Sequence, residues 1–148
     1  MMNSTDLTKG MYEYGRSEAL KLREEGSMLD GTAIIEREAF APAWRPGAYN
    51  VYGAPVEFEG QIYTVLQVHD STANPGYTPA AVPALFSPCH TKNPAKAKPW
   101  LAPNGISGMY YLDECYKDEN GVVWQQTYDG ANVYDAKAMP DRWKVVEM

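Results

Sequence analysis

The sequence predicts an α+β fold in which an N-terminal helical arm precedes two small antiparallel β modules in tandem. Three observations indicate this fold. Residues 6–25 have the spacing of an amphipathic helix, glycine-centred hairpin turns occur at Gly60 and Gly121, and aromatic residues recur around both turns. The turn glycines are 61 positions apart (121 − 60), and Tyr63 and Trp124 keep the same separation (124 − 63). A fixed period of aromatics and glycines is how a structural repeat shows itself in a sequence.

Residues 1–41 are predicted to form the helical arm. The first helix has an apolar stripe at the helical period, with charged residues on its other faces; the stripe consists of Leu7, Met11, Tyr14, Ala19 and Leu22. Gly26 is placed to act as its C-cap. A second short helix is expected to begin at Asp30 or Thr32, with Asp30 as a suitable N-cap. The simplest interpretation is a helical hairpin without chemistry of its own.

Two β modules are predicted after the arm, in residues 42–90 and 100–148, with residues 91–99 as a linker. Each module contains a hairpin signal, at Glu59-Gly60 in the first and at Asn120-Gly121 in the second. Asn-Gly is the strongest short-range hairpin signal, because both residues accept the positive φ of a type I′ turn. Apolar and polar residues alternate beside the first turn, which is typical of strands.

The composition argues against several classes of protein. The chain has 148 residues, of which 45% are hydrophobic, and this favours a globular protein over a disordered one. The net charge is −6 and no Lys/Arg run offsets it, so a nucleic-acid partner is not expected. No apolar stretch is long enough to insert across a membrane. The N-terminus lacks a cationic start followed by an apolar run, so no signal peptide is expected.

The sequence also offers little for catalysis or metal binding. Cys89 and Cys115 could form one disulfide or stay reduced, and the reduced state is favoured because no secretory signal precedes them. Together with His69 and His90 they are zinc-ligand types, but their spacing contains no paired ligand motif, so no metal and no cofactor are expected. The carboxylates lie near hairpin turns and no Gly-x-Ser-x-Gly elbow occurs, so the protein is not expected to be an enzyme.

The aromatic and glycine positions follow the same order in both units. They are Trp44, Tyr49, Gly53, Val56, Gly60, Tyr63 and Phe86 in the first, and Trp100, Tyr110, Cys115, Gly121, Trp124 and Trp143 in the second. This order resembles the small chitin- and cellulose-binding modules of the family 5/12 type. The resemblance implies β modules that bind sugar on exposed aromatics soon after the Gly-x-x-Tyr motif. Tyr128 keeps such a position in the second unit, whereas Gln67 and Val68 hold it in the first.

The whole arrangement is similar to small tail-associated proteins of phages and prophages of Gram-positive bacteria. The similarity covers about residues 30–148 and includes the Asp-Gly-Thr-x-Ile-Ile segment at 30–35 and the segment 89–100. It implies a virion tail protein, assembled in the host cytoplasm, with cell-surface polysaccharide and other tail proteins as partners. The first helix is too short and too glycine-interrupted to be stable alone. It is expected to pack on another subunit, and a homo-oligomer, with a trimer favoured, is expected by analogy with tail fibres.

The candidate ligand-binding residues are aromatic and amide side chains in polar loops. They are Tyr128, Tyr134, Gln126 and Asn132 in the second unit, and Tyr77, Gln67 and Asn74 in the first. The tryptophans are expected mainly in the cores, because large aromatics dominate small cores. The second unit is expected to dominate binding. The alternative is a purely structural tail protein whose modules mediate protein–protein contacts.

Overall fold

The computed structural model describes residues 4–104 and 106–147 and confirms the α+β fold. Helix α1 spans Ser4–Glu25 and helix α2 spans Gly31–Glu36. The strands within the described ranges are β1 (Ala48–Tyr49), β2 (Pro55–Phe58), β3 (Gln61–Val65), β4 (His69–Asp70), β5 (Phe86–Pro88), β6 (Lys98–Pro99), β7 (Cys115–Lys117), β8 (Val123–Gln126) and β9 (Trp143–Val145). Neither helix, over the residues described, is long and apolar enough to cross a membrane.

The strands form three sheets, which belong to two modules. In the first module β2, β3 and β5 form an antiparallel sheet, and β1 pairs with β4. In the second module β7, β8 and β9 repeat the antiparallel order, and β6 adds a parallel strand beside β7. Residues 91–99, predicted as a linker, therefore include a strand of the second sheet. Thr91 joins the same sheet, because its carbonyl accepts the N–H of Cys115 at 2.8 Å.

The hydrogen-bond register aligns the two hairpins residue by residue. Tyr63 lies opposite Val56 in the first hairpin, and Trp124 lies opposite Tyr116 in the second. The counterpart of Val56 is therefore Tyr116, and the sequence match to Cys115 is wrong by one position. The shift arises because residues 118–122 separate the paired strands of the second hairpin, whereas only residues 59 and 60 do so in the first.

The two modules also make equivalent backbone hydrogen bonds outside their hairpins. The N–H of Trp44 donates to the carbonyl of Glu57 at 2.7 Å, and the N–H of Trp100 donates to that of Lys117 at 3.1 Å. Glu57 and Lys117 occupy equivalent positions next to the paired residues described above. In each module, therefore, a tryptophan is held alongside the first strand of the hairpin.

A left-handed residue precedes the hairpin of each module. Gly53 has φ of 79° and Asp113 has φ of 71°. The N–H of Gly53 donates to the carbonyl of Val65 at 2.9 Å, and that of Asp113 donates to Gln126 at 3.0 Å. Val65 and Gln126 thus hold the same place at the end of the middle strand, although one is apolar and the other polar.

Each module has its own aromatic core. Phe86 pairs with Val65 in the first module and Trp143 pairs with Gln126 in the second, and both aromatic rings are buried. The first core contains Ala54, Val56, Tyr63, Val65 and Phe86, with Trp44 packed at its edge. The second contains Tyr110, Tyr116, Ala136 and Trp143, with Trp100 and Trp124 at its edge. All four tryptophans therefore serve the cores, as the sequence predicted.

Helix α2 packs on the first module. Asp30 is its N-cap, as predicted, because its Oδ1 accepts the N–H of Ala33 at 2.8 Å. Ile35 is fully buried, in a small core that α2 shares with Ile62 of β3 and Cys89 just after β5. The second helix is therefore a structural part of the first module.

The carboxyl-terminal end of α1 is also covered by the chain itself. Leu22 belongs to the helix that was expected to pack on another subunit, and it is fully buried within the chain itself. That prediction is wrong at this end of the helix, because the turn Glu38–Phe40 packs against α1. The side chains of Leu7, Met11 and Tyr14 lie outside the described part of the structure.

Two glycines bring the helical segment into close contact with the backbone of the modules. A Cβ at Gly26 would lie 2.2 Å from the carbonyl oxygen of Gly53, and one at Gly31 would lie 2.3 Å from that of His90. Gly26 directly follows the last residue of α1, which is the C-cap position that the sequence predicted; its φ is not positive, and it begins the 3-10 turn Gly26–Met28. Gly26 allows the end of α1 to lie against the backbone of Gly53, which only a residue without a side chain permits.

We expect Gly31→Ala to destabilise the fold by about 2 to 3 kcal/mol, because backbone atoms would have to shift to admit the methyl group. Gly15→Ala is the control. Gly15 lies in α1, and a Cβ added there would meet nothing within 4 Å. This exchange should stabilise by roughly 0.5 to 1 kcal/mol through helix propensity. Urea unfolding of the three proteins measures both effects, and equal stability of Gly31→Ala and the parent chain would contradict the packing described.

Candidate functional site

The second module presents an exposed aromatic surface after β8. Tyr128 is 40% exposed and Tyr134 is 49% exposed, and both were predicted to contact ligand. Arg142, in the 3-10 turn Pro140–Arg142, lies with them. Its guanidinium carbon is 3.9 Å from the centroid of the Tyr128 ring and 6.0 Å from that of Tyr134. We call Tyr128, Tyr134 and Arg142 the tyrosine face.

Arg142 is the residue of this face that sequence reasoning missed. Its Nη1 donates to Oδ1 of Asn132 at 3.2 Å, and its backbone carbonyl accepts the N–H of Thr127 at 2.8 Å. Thr127 directly precedes Tyr128, so the backbone bond brings the arginine beside the tyrosine loop. The available signal was a cation immediately before the closing Trp143 of the repeat.

Gln126 and Asn132 do not belong to the exposed surface. Both side chains are fully buried, although they were predicted to contact ligand. The Nε2 of Gln126 donates to the carbonyls of Tyr128 and Gly130, both at 2.8 Å. Oδ1 of Asn132 accepts the N–H of Tyr134 at 3.0 Å in addition to the bond from Arg142. These amides hold the loop that carries the tyrosines, and the structure gives them a positioning role in place of ligand contact.

Gly130 shapes the same loop. Its φ is 154°, and a Cβ there would lie 3.1 Å from Cε1 of Tyr128. A residue with a side chain would therefore press on the tyrosine ring as well as strain the backbone. The glycine lets the loop lie against the ring, while Arg142 lies over its face.

The first module lacks an equivalent surface. Asn74 and Tyr77 lie in one turn, in which the carbonyl of Asn74 accepts the N–H of Tyr77 at 3.0 Å, and both are exposed. Gln67 is exposed in a different loop, which joins β3 to β4. That loop contains only residues 66–68, whereas residues 127–131 occupy the corresponding place before Asn132 in the second module. The longer second loop makes room for the tyrosine face.

A cleft of about 410 Å³ lies between the helical segment and the two modules. Its lining includes Tyr52, Gly53, His90, Tyr111 and Glu114. Burial raises the pKa of the Glu114 carboxyl above its usual value, although the N–H of Tyr111 donates to it at 2.7 Å. Tyr52 and Tyr111 are exposed. Sequence reasoning missed this cleft because its walls come from three separate segments of the chain.

His90 connects the cleft to the second core. Its imidazole stacks on Tyr110 with ring centroids 3.7 Å apart, and its Nε2–H donates to the carbonyl of Gly108 at 2.7 Å. Burial lowers the pKa of His90 from 6.5 to about 4. The histidine is therefore neutral in the folded protein at neutral pH, and its role is to join residues 89–91 to the second module.

The pKa of His90 predicts acid sensitivity. In the unfolded chain His90 becomes protonated as the pH falls below 6.5, whereas in the folded protein it becomes protonated only near pH 4. Protonation therefore favours the unfolded state between these values, and the free energy of unfolding falls as the pH drops from 6.5 to 4. We expect about 3 kcal/mol of the unfolding free energy to be lost between pH 7.5 and pH 4 from this residue. His90→Phe keeps a ring stacked on Tyr110 and has no titrating group, so it should lose about 3 kcal/mol less than the parent chain over the same pH range. Urea unfolding across this pH range tests it, with His69→Phe as the composition-matched control; an unchanged slope in His90→Phe would contradict the assignment.

The cysteines are free and buried. Burial raises the pKa of the Cys89 thiol to about 12 and that of Cys115 to about 11, so both are protonated at neutral pH and poorly reactive. The four potential zinc ligands are not brought together. Within the described ranges, no group of three or more His, Cys, Asp or Glu residues could hold a metal ion.

No protein-family model matches the chain, and a search of curated proteins finds no match to it.

Proposed function

We propose that this protein is a non-enzymatic component of a phage or prophage tail that binds cell-surface polysaccharide through its second β module. The observation that supports the proposal most strongly is the tyrosine face. Two partly exposed rings lie beside an arginine on a loop held by the buried amides of Gln126 and Asn132. A face that is already ordered avoids part of the entropy cost of ordering side chains on binding.

The chemistry of the face suits a sugar. The C–H faces of a sugar ring pack on aromatic surfaces, and its hydroxyls bond to the polar groups at their edges. Tyr128 and Tyr134 provide such an edge with their hydroxyls, and Arg142 adds N–H donors. The first module offers only Tyr77 as an exposed aromatic in its polar loop, without an arginine stacked on it in the described structure. The second module therefore dominates binding.

A purely structural tail protein is the alternative function. Exposed apolar side chains at the inter-module cleft favour it, since Ile106 is 77% exposed and Tyr52 is 60% exposed. Exposed apolar side chains grouped around a cleft are typical of protein-contact surfaces. Under this alternative the modules keep their fold and bind no glycan, so glycan titration separates the two functions.

We expect weak glycan binding, with dissociation constants of micromolar to millimolar order, equivalent to about −8 to −4 kcal/mol. Tyr128→Ala should remove roughly 1 to 2 kcal/mol of this, about 5- to 30-fold in affinity, because the sugar loses its stacking surface. Isothermal titration calorimetry with host cell-wall polysaccharide measures the change in affinity.

Tyr77→Ala is the matched control, because Tyr77 is 43% exposed and Tyr128 is 40% exposed. It should lower affinity less than Tyr128→Ala does, because the second module is proposed to dominate binding. Circular dichroism checks that both variants keep the fold, as expected for substitutions of partly exposed rings. An equal loss in the two variants would move the site away from the tyrosine face, and absence of binding by the parent chain would favour the structural alternative.

The proposal includes a trimeric assembly built on the amino-terminal part of α1. Deleting residues 1–40 would also remove Leu22, Ile34 and Ile35 from buried positions, so it would test folding and assembly together. A chain that starts at Gly15 retains these residues. We expect light scattering to give three times 16.5 kDa for the full chain and a monomer for the shortened one. A monomeric full chain, or a shortened chain that remains trimeric, would contradict this assembly.

A further inference from the structure

We infer that the polysaccharide bound by the tyrosine face carries an anionic group, a phosphodiester or a carboxylate, and that Arg142 binds it. This inference rests on the proposed function and specifies its ligand. It is carried by the position of one guanidinium, by the groups that hold it, and by the absence of a carboxylate beside it within the described residues.

Arg142 has no acidic partner in the described structure. Ion pairs there involve five other cations, which are Lys21, Arg37, Lys96, Lys98 and Lys137. No described carboxylate lies within 4.0 Å of the Arg142 side-chain nitrogens. In a chain with 19 acidic residues and a net charge of −6, this cation remains unneutralised on a partly exposed face.

The guanidinium is nevertheless held in place. Its central carbon lies over the Tyr128 ring, 3.9 Å from the centroid, and Oδ1 of the fully buried Asn132 accepts one of its N–H groups at 3.2 Å. The cation–π interaction restrains a guanidinium above an aromatic ring, and its edge can still donate hydrogen bonds. A guanidinium has five N–H donors, so the bond to Asn132 leaves several for a ligand.

A free, oriented guanidinium edge matches the planar oxygens of a carboxylate or the paired oxygens of a phosphate, which it can bind through two parallel hydrogen bonds. A neutral sugar gains only ordinary hydrogen bonds from the same group. Because the remainder of the chain is acidic, long-range attraction to a polyanion is weak, and recognition depends on this local contact. The tyrosines then pack on the sugar ring that carries the anion.

The test titrates the full chain with three defined polysaccharides: a mannan that carries phosphodiesters, polygalacturonate and neutral dextran. Arg142→Gln should weaken binding of the preferred anionic polymer about tenfold or more, as expected for loss of a charge-assisted hydrogen bond. Lys144→Gln is the matched control. Lys144 lies exposed on β9, two residues away, and its exchange changes the net charge equally. We expect it to change affinity less than about twofold, because exposed charges that make no direct contact contribute little.

Arg142→Lys provides a second variant that keeps the charge and removes the planar fork, so it tests the site even if Arg142→Gln folds poorly. It should retain part of the affinity and lose the preference for the polymer whose oxygens fit the fork. Preference for the phosphate polymer or the uronate polymer in the parent chain identifies the source of the anion, and either preference supports the inference.

The failures of the inference and of the proposed function are distinguishable. Binding of neutral dextran as tightly as the anionic polymers, unaffected by Arg142→Gln, would overturn the inference and leave glycan binding intact. Equal losses in Arg142→Gln and Lys144→Gln would also overturn it, because the effect would then follow net charge alone. No binding to any polymer or to host cell-wall polysaccharide would overturn both.

Discussion

The packing of helix α2 against residues 89–91 is the contact on which the rest of the structure depends. Because Gly31 has no side chain, the helix packs directly against the backbone of His90. Thr32 Oγ1 accepts the N–H of Lys92 at 2.9 Å. The same short segment bonds Cys115 of the second sheet. One stretch of chain therefore serves the helical segment, the end of the first module and the start of the second. A change that displaces it is therefore expected to disturb all three.

The two modules share a three-stranded antiparallel sheet, and one difference between them is the residue that ends the middle strand. Val65 ends the middle strand of the first module inside an apolar core, whereas Gln126 ends that of the second. A buried amide is costly unless it is hydrogen-bonded. The Nε2 of Gln126 donates to the carbonyls of Tyr128 and Gly130, whereas its buried Oε1 has no partner among the described residues. Gln126 therefore contributes less apolar packing than Val65 does, and its side-chain hydrogen bonds hold the longer loop in place. The repeat supplies the scaffold, and the exchange of Val65 for Gln126 accompanies the surface proposed to bind ligand.

Much of the fold could be predicted because its signals are local. Asp30 caps a helix through its own backbone neighbours, and Gly60 and Gly121 form turns with φ of 82° and 80°. The register of the hairpins and the burial of individual side chains were harder to predict from the sequence. The longer second turn moved the counterpart of Val56 to Tyr116, since turn length sets register and cannot be read from the spacing of aromatics alone.

By itself the sequence determined the fold class, the positions of the two turn glycines and the loop that carries Tyr128 and Tyr134, because helix periodicity, turn chemistry and strand alternation act between near neighbours. Only the tertiary structure decided which polar side chains face solvent. Asn132 and Tyr134 are two residues apart in one polar loop, yet the amide is buried and the ring is exposed. Arg142 reaches the same ring face from a later turn. Burial and stacking depend on segments that meet only when the chain folds, so no local pattern contains them.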